Sequence, residues 1–160
     1  MSQKLTHLNE RGESHIVDIG GKAVTARRAV ARARLEAKPE TVAAIIGGTL
    51  KKGDALAVAR IAGIMAAKKT SDLIPLCHPI ALSKVEVDIA VDGGDLVVTA
   101  TAETNDRTGV EMEAMIAASV AALTLYDMAK GIDRGMRIST VELLEKFGGK
   151  SGHYVREPGR

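Results

Sequence analysis

The alternation of apolar and polar residues along the chain predicts a pair of strands joined by a turn. In residues 84–91, valine and isoleucine alternate with mostly charged residues, which is the pattern of a strand with one buried face. The Asp-Gly-Gly-Asp sequence at 92–95 predicts a tight turn, and residues 96–104 return as the hairpin partner. In residues 24–36, arginines alternate with alanine and leucine. This favours a strand with one solvated face, although Ala and Arg also favour helix.

The remaining elements are predicted from shorter signals. Residues 15–19, before two glycines, fit a short strand, and residues 137–146 fit a last strand. Pro39 suits the first turn of a helix that runs to Gly47. Asp54 is a suitable N-cap for a helix over 55–69, which should end before Pro75.

The longest predicted helix is unusual because it is apolar on every side. The sequence Thr-Gly-Val-Glu at 108–111 fits a capping box at its start. From 114 to 126 there is no charged residue. A helix that is apolar all round is normally buried all round. In a chain of 160 residues this suggests that a second surface, such as another subunit, presses on the helix.

The order of these elements indicates an α+β fold, since strands and helices are mixed and one hairpin is antiparallel. The first dozen residues show no apolar period. We therefore predict a flexible arm at 1–13, a single domain at 14–147, and a mobile, glycine-rich tail at 148–160.

Composition narrows the function. Aromatic residues make up 2% of the chain and Trp is absent, so very few side chains are available to stack on nucleic-acid bases. A net charge of +2 does not argue for a polyanionic partner either. The single cysteine, Cys77, fits a reducing cytoplasm. We expect neither a signal peptide nor a membrane span, because the N-terminus is polar and no run of 18 apolar residues occurs.

The segment 72–79 is one candidate site because two prolines stiffen the backbone around Cys77 and His78. It can equally be a connector with a buried thiol and a structural imidazole. A Cys–His nucleophilic dyad is disfavoured because neighbouring residues of an extended segment point to opposite sides. A metal site is weaker still, since the other histidines lie far away in sequence.

Charged residues at the two ends of the long helix form a second candidate. Glu111 is suited to capping, whereas Glu113 has no such duty. Asp127 and Lys130 are three apart, share one face, and can exchange protons with a substrate or simply form a surface ion pair. Glu113 and Asp127 are 14 residues apart, roughly 21 Å along one helix. This distance disfavours one reacting centre in one chain that uses both groups, and it favours a site shared between two subunits.

Two basic, glycine-rich segments, 47–53 and 148–152, are a third candidate. Mobile glycine backbone beside lysine suits phosphate contacts. Neither segment is a Walker loop, because Leu144 stands where the first glycine should be. Each can equally be a solvated turn or tail.

Several longer segments indicate a protein family, which the spacing of single residues does not. They are Lys52-Gly53-Asp54, Ala59-Arg60-Ile61-Ala62-Gly63-Ile64, Leu73-Ile74-Pro75-Leu76-Cys77-His78-Pro79, Ser83-Lys84-Val85-Glu86-Val87, Thr108-Gly109-Val110-Glu111-Met112-Glu113-Ala114, Ala117-Ala118-Ser119-Val120-Ala121-Ala122-Leu123-Thr124, Tyr126-Asp127-Met128 and Gly148-Gly149-Lys150-Ser151-Gly152. With these segments in this order, from about residue 5 to residue 152, the chain resembles the MoaC family. No departure falls at a position that the family uses for chemistry.

The resemblance implies a ferredoxin-like fold with helices packed on one face of an antiparallel sheet. It also implies a homohexamer, a trimer of dimers with active sites at the dimer interfaces. The implied reaction is that of a lyase in molybdenum cofactor biosynthesis. It converts 3′,8-cyclo-7,8-dihydro-GTP, made by a radical-SAM enzyme, into cyclic pyranopterin monophosphate and pyrophosphate. Molybdopterin synthase then follows in the pathway.

The resemblance also carries over site residues. Asp127 matches the catalytic position, and Lys52 and Lys130 match lysines of the site. The family's substrate-binding positions match Leu76, Cys77, His78, Met112 and Glu113. Lys150 lies in the tail that matches the family's mobile tail. We expect no cofactor, although a divalent ion carried by the triphosphate stays open, and no nucleic acid or membrane partner. The alternatives are a non-catalytic nucleotide-binding or regulatory module and a purely structural oligomer.

Overall fold

A computed structural model describes residues 6–159 of the chain. The residues fold into an α+β domain with these elements in chain order: β1 (Thr25–Glu36), α1 (Pro39–Ile46), α2 (Ala55–Ala67), α3 (Thr70–Leu73), β2 (Lys84–Asp92), β3 (Asp95–Asp106), α4 (Glu111–Ala129), β4 (Arg137–Phe147) and β5 (Tyr154–Val155).

The strands form one antiparallel sheet in the order β2-β3-β1-β4-β5. The predicted hairpin is present: Asp92 pairs with Asp95, and the two turn glycines, Gly93 and Gly94, both have positive φ. This backbone conformation suits glycine because a Cβ would be strained there. The α+β class and the antiparallel hairpin predicted from the sequence are confirmed.

The alternation in β1 is confirmed as a strand, with its small residues facing the helices. Ala29, Ala31 and Ala33 are fully buried. The arginines of the opposite face pair with acidic residues of neighbouring strands, as Arg28 does with Glu145 at 3.0 Å. The uncertainty between helix and strand is resolved because β1 is flanked by β3 and β4, which satisfy its backbone on both edges.

The helices α2 and α4 pack against each other and on one face of the sheet. Small side chains allow a close approach: a Cβ built on Gly63 of α2 would lie 2.8 Å from the carbonyl oxygen of Ala117 in α4. The predicted N-cap of α2 is confirmed, because Asp54 accepts a hydrogen bond from the Ala57 N–H at 3.0 Å.

The long helix α4 is a core helix of this domain. By length and composition alone it would also qualify as a membrane-crossing helix. It contacts α2 and the strands β1, β3 and β4. Five of its alanines are fully buried: Ala114, Ala117, Ala118, Ala121 and Ala122.

Two local predictions were wrong. Residues 15–19 pair with no other strand in the described part of the chain, although the carbonyl of Val17 accepts a side-chain hydrogen bond from His78. The capping box is absent, because α4 begins after Val110 and no side chain caps it. Glu111 instead forms an ion pair with Lys146 of β4 at 3.0 Å. The side chain that the local pattern predicted to cap the helix therefore forms an ion pair with another strand.

The two ends of the chain include ordered contacts. Leu8 and Ser14 form an isolated antiparallel bridge, and β5 pairs with β4 through Val155 and Glu145. The first five residues of the predicted arm lie outside the described residues. The proposed boundaries at 13 and 147 therefore stay predictions.

Candidate active site

At the C-terminal end of α4, two lysines hold one carboxylate. The Nζ of Lys130 lies 2.9 Å from Oδ1 of Asp127, and the Nζ of Lys52 lies 3.2 Å from its Oδ2. Lys52 also donates to the backbone oxygen of Asp127 at 2.8 Å. Lys130 is placed by the helix itself, one turn beyond Asp127. Lys52 comes from the loop between α1 and α2, which turns at Gly53 with a φ of 98°.

The side chains of the Lys52–Asp127–Lys130 cluster stabilise one another as an ion-paired group. Hydrogen bonds from Lys130 and then Lys52 hold the pKa of Asp127 below its ordinary value. The hydrogen bond to Asp127 raises the pKa of Lys130 in return. The carboxylate of Asp127 is therefore ionised at neutral pH, with the ammonium group of Lys130 as its hydrogen-bond donor. All three side chains are about half exposed, so a ligand can reach them.

At the opposite end of α4 lies the first cleft, an open cavity of about 540 Å³. Its walls come from the segment after α3, the start of α4, and the extended residues Val17 and Ile19. Five residues predicted to bind substrate line it together: Leu76, Cys77, His78, Met112 and Glu113. The structure thus brings together two segments that are far apart in sequence.

Glu113 is the most perturbed group of the first cleft. Glu113 is only 4% exposed. Burial raises the pKa of this carboxyl to about 7, an effect that its own backbone N–H opposes and the nearby Glu111 reinforces. A carboxyl that titrates near neutral pH can either donate or accept a proton.

The neighbouring Cys77 and His78 have different environments. Burial, and then the negative charge of Glu113 and Glu111, raises the pKa of the Cys77 thiol. The thiol is therefore protonated at neutral pH, which does not suit a nucleophile. The His78 Nε2–H donates to the Val17 carbonyl oxygen at 2.7 Å. This bond fixes the orientation of the imidazole.

A second cleft, of about 710 Å³, adjoins the first. Both cavities are lined by Lys22, Thr108, Gly109 and Glu111. Lys150, the predicted residue of the tail, lies in the second cleft. So do four basic residues that were not predicted as site residues: Lys22, Arg27, Arg107 and Lys146.

A sequence signal for one of these missed residues does exist. Arg27 occupies the same face of β1 as the buried Ala29, Ala31 and Ala33, and it is itself only 9% exposed. An arginine in register with buried alanines is exceptional, since charged side chains are rarely buried without a partner. By contrast, Lys22 and Arg107 follow ordinary loop patterns and carry no such signal.

The predicted site residues form two groups within one chain. Asp127, Lys130 and Lys52 lie at the C-terminal end of α4, whereas Glu113 and the first cleft lie at its N-terminal end. Because both ends belong to one continuous helix, the 14-residue separation corresponds to roughly 21 Å. Across residues 6–159, no three His, Cys, Asp or Glu side chains converge as ligands for a metal ion.

Taken together, these features are typical of a site for a small molecule. The domain contains a cleft lined by a carboxyl whose pKa is about 7, a basic cavity beside this cleft, and a separate lysine–carboxylate cluster. Comparison with known proteins identifies the family. Residues 16–149 match the model of the MoaC family, and the chain belongs to that family. It is 56% identical over 156 residues to the cyclic pyranopterin monophosphate synthase of Thermomicrobium roseum, covering 96% of this chain and 94% of the relative.

Proposed function

We propose that this protein is a lyase of molybdenum cofactor biosynthesis that converts 3′,8-cyclo-7,8-dihydro-GTP into cyclic pyranopterin monophosphate and pyrophosphate. The observation that carries this is the 56% identity to a cyclic pyranopterin monophosphate synthase over nearly the whole of both chains. The carboxyl and lysine side chains at the two ends of α4 support the proposal, because such a rearrangement requires proton transfers.

The Lys52–Asp127–Lys130 cluster is the proposed catalytic centre. Opening the purine-derived ring and closing the pterin requires several proton transfers, for which an ionised carboxylate between two ammonium groups is suited. Attack of a sugar hydroxyl on the α-phosphorus forms the cyclic phosphate and breaks the bond to the β-phosphate oxygen. Lysine side chains can offset the negative charge that develops there.

The first cleft is the proposed site for the body of the substrate. Its mixed walls combine the apolar Leu76 and Met112 with the polar His78 and Glu113. Apolar walls with a few fixed polar groups are the usual composition of a small-molecule site. The fixed imidazole of His78 and the titrating carboxyl of Glu113 would recognise the hydrogen-bonding edge of the base.

We further propose that each complete site combines two chains. The supporting observation is that the first cleft and the catalytic centre lie at opposite ends of α4. An apolar surface for assembly is available on α2, where Val58, Ile61 and Met65 share one face and are 44%, 59% and 56% exposed. A homohexamer, a trimer of dimers, would cover such surfaces and join opposite ends of neighbouring α4 helices.

The ferredoxin-like arrangement, the cellular location and the pathway neighbours are also proposals. The strand order β2-β3-β1-β4, with α2 and α4 on one face, supports a ferredoxin-like arrangement with β5 as an added edge strand. A cytoplasmic location fits the single cysteine. The proposed pathway neighbours are a radical-SAM GTP cyclase upstream and molybdopterin synthase downstream.

The direct test is to supply the purified protein with cyclic dihydro-GTP and to measure pyrophosphate and an oxidisable pterin. Equal amounts of both products are expected, because each turnover releases one of each. Absence of both products from the folded wild-type protein would refute the lyase. Substrate binding without turnover would favour a non-catalytic nucleotide-binding module.

A further inference from the structure

One wall of the first cleft is formed by residues 6–19, a segment that precedes β1 and that we call the flap. Thr6, His7, Val17 and Ile19 of the flap line the cavity. The other walls belong to the segment after α3 and to the start of α4. A ligand in the first cleft would therefore lie between the flap and the folded body of the domain.

The flap is held against the domain by few hydrogen bonds. Its backbone hydrogen bonds are local, as in the bond from the His15 N–H to the His7 carbonyl oxygen at 3.0 Å. Within residues 6–159, one hydrogen bond links the flap to another wall of the cleft, from His78 Nε2–H to the Val17 carbonyl oxygen at 2.7 Å. Separation of the flap would therefore break one such bond and some apolar contact, far less than separation of a strand from the sheet.

The alternation of residues in the flap shows which of its sides faces the cleft. Val17 and Ile19 are half-buried and line the cavity, whereas Ile16 and Asp18 are exposed and do not. This is the alternation of an extended segment with one covered side, although no strand pairs with it in the described part of the chain. The apolar pattern at 15–19, which predicted a strand, is therefore satisfied by contact with the cleft.

A pair of glycines connects the flap to a fixed point of the domain. Gly20 and Gly21 follow Ile19 directly, and the carbonyl oxygen of the next residue, Lys22, accepts a hydrogen bond from Arg107 Nε at 3.1 Å. Neither glycine has a positive φ, and a Cβ at Gly21 would meet no atom within 4 Å. The observed position of the flap therefore does not require glycine, but two successive glycines give the backbone the freedom to leave it.

We infer that the flap is a movable wall: it turns about Gly20 and Gly21 to admit a ligand to the first cleft, and it closes on that ligand with Val17 and Ile19. Opening exposes the two half-buried side chains and breaks the bond to His78, and closure restores both contacts. Lids that are lightly attached and hinged at a few loop residues commonly retain a substrate in this way. The identity of the ligand rests on the proposed function, whereas the movement of the flap does not.

The single cysteine of the chain, Cys77, reports the movement because it lines the same cleft as the flap. The full-length protein is labelled at one pH with a thiol-reactive aromatic disulfide, and the rate is followed by absorbance. Ile19→Ala should be labelled about three- to tenfold faster, because partial loss of its apolar contact favours the open flap. The matched control is Ile16→Ala, the same change on the exposed side of the flap, and its rate should stay within about twofold of the wild type.

A second variant shifts the flap in the opposite direction. Gly21→Ala fits the observed position but restricts the open chain, so labelling of Cys77 should slow by about two- to fivefold. Gly131→Ala, at another glycine where an added Cβ meets no atom within 4 Å, controls for the substitution itself and should leave the rate unchanged. A slower rate cannot come from misfolding, which would expose the thiol.

Steady-state kinetics with cyclic dihydro-GTP test whether the flap closes on the substrate. Ile19→Ala should raise KM by about three- to tenfold and leave kcat within about twofold, because contact with the body of the substrate is lost while the proposed acid–base groups are untouched. Ile16→Ala should keep both constants of the wild type. Equal KM values for the two variants would show that the flap does not close on the substrate.

The outcomes separate the two proposals. An unchanged labelling rate in Ile19→Ala overturns the flap even if the lyase is active. Faster labelling of Ile19→Ala together with an unchanged rate in Gly21→Ala indicates a fixed wall and overturns the movement. The expected labelling rates in a protein without lyase activity refute the proposed reaction and leave the flap standing.

Discussion

At the scale of single residues, the two carboxyl groups at the ends of α4 differ because their surroundings differ. Asp127 is about half exposed between two lysines, which lower its pKa. Glu113 is buried, and the loss of solvent raises its pKa to about 7. The two carboxyl groups therefore have pKa values on opposite sides of their ordinary values, which suits a reaction with several proton transfers.

Asp127→Asn is expected to lower kcat by about 10²- to 10⁴-fold, the usual contribution of a positioned acid–base group. The side chain is exposed, so the far-UV circular dichroism and the thermal melt should stay close to those of the wild type. Turnover is measured as pyrophosphate release. Asp88→Asn, on the exposed side of β2, serves as a control with full activity. Wild-type turnover in Asp127→Asn would remove Asp127 from the mechanism.

Glu113→Gln is expected to alter how stability depends on pH. Between its ordinary pKa of 4.5 and about 7, the folded protein keeps a proton on Glu113 that the unfolded chain has released. The stabilisation from the neutral carboxyl is therefore complete below about pH 4.5 and lost as the pH rises through 7. The loss is on the order of 3 kcal/mol.

Urea unfolding of both proteins at pH 5 and pH 8 measures this effect. Glu113→Gln should gain stability relative to the wild type on going from pH 5 to pH 8, because glutamine does not ionise. Glu40→Gln, at an exposed position of α1, controls for removal of a carboxylate elsewhere. Parallel pH profiles for wild type and Glu113→Gln would contradict the burial argument.

At the scale of elements, the close contact between α2 and α4 sets the position of the whole site. Gly63 lets the two helices approach until its α-carbon faces the Ala117 carbonyl, and buried alanines extend the contact along α4. The N-terminus of α4 then borders both clefts, while its C-terminus meets the loop that carries Lys52. Packing of small residues therefore determines where the candidate site residues lie.

Gly63→Ala is expected to destabilise the protein by about 1–3 kcal/mol, because the added Cβ would lie 2.8 Å from a backbone oxygen that cannot move freely. For a chain of this size the melting temperature should fall by about 2–4 °C for each kcal/mol. Gly21→Ala is the matched control, since a Cβ there meets no atom within 4 Å. Equal melting temperatures for the two variants would show that α2 and α4 are not in close contact.

At the scale of the whole molecule, the division of the proposed site between the two ends of α4 argues for assembly. A single chain holds the first cleft and the proposed catalytic centre roughly 21 Å apart. Two chains in antiparallel contact would bring unlike ends together, and a symmetric oligomer repeats the arrangement. The exposed face of α2 offers an apolar surface for such contacts.

Subunit complementation tests the shared site. One variant carries Asp127→Asn, and the other carries both His78→Ala and Glu113→Ala. Each alone is expected to lack turnover, but co-expressed chains should recover activity in about a quarter of the sites by random assortment in a symmetric oligomer. Light scattering after size exclusion gives the assembly. A monomer, or mixed oligomers without activity, would contradict the two-chain site.

The sequence by itself determined what depends on local pattern. It gave rise to correct predictions of β1–β4, α1, α2 and α4, because hydrophobic period and turn residues act over a few neighbours. The predicted cap was wrong because α4 begins at Glu111, beyond the predicted cap residue Thr108, and Glu111 pairs with Lys146. The strand predicted at 15–19 was wrong because it has no partner strand among residues 6–159.

Only the tertiary structure decided which residues share a cavity. The first cleft joins residues 76–78 to residues 112 and 113, and the second joins Arg27 of β1 to Lys150 beyond β4. Such contacts depend on strand order and helix packing, which no local pattern specifies. The pKa of Glu113 follows the same logic: its identity is in the sequence, but the burial that makes it titrate near neutral pH exists only in the folded chain.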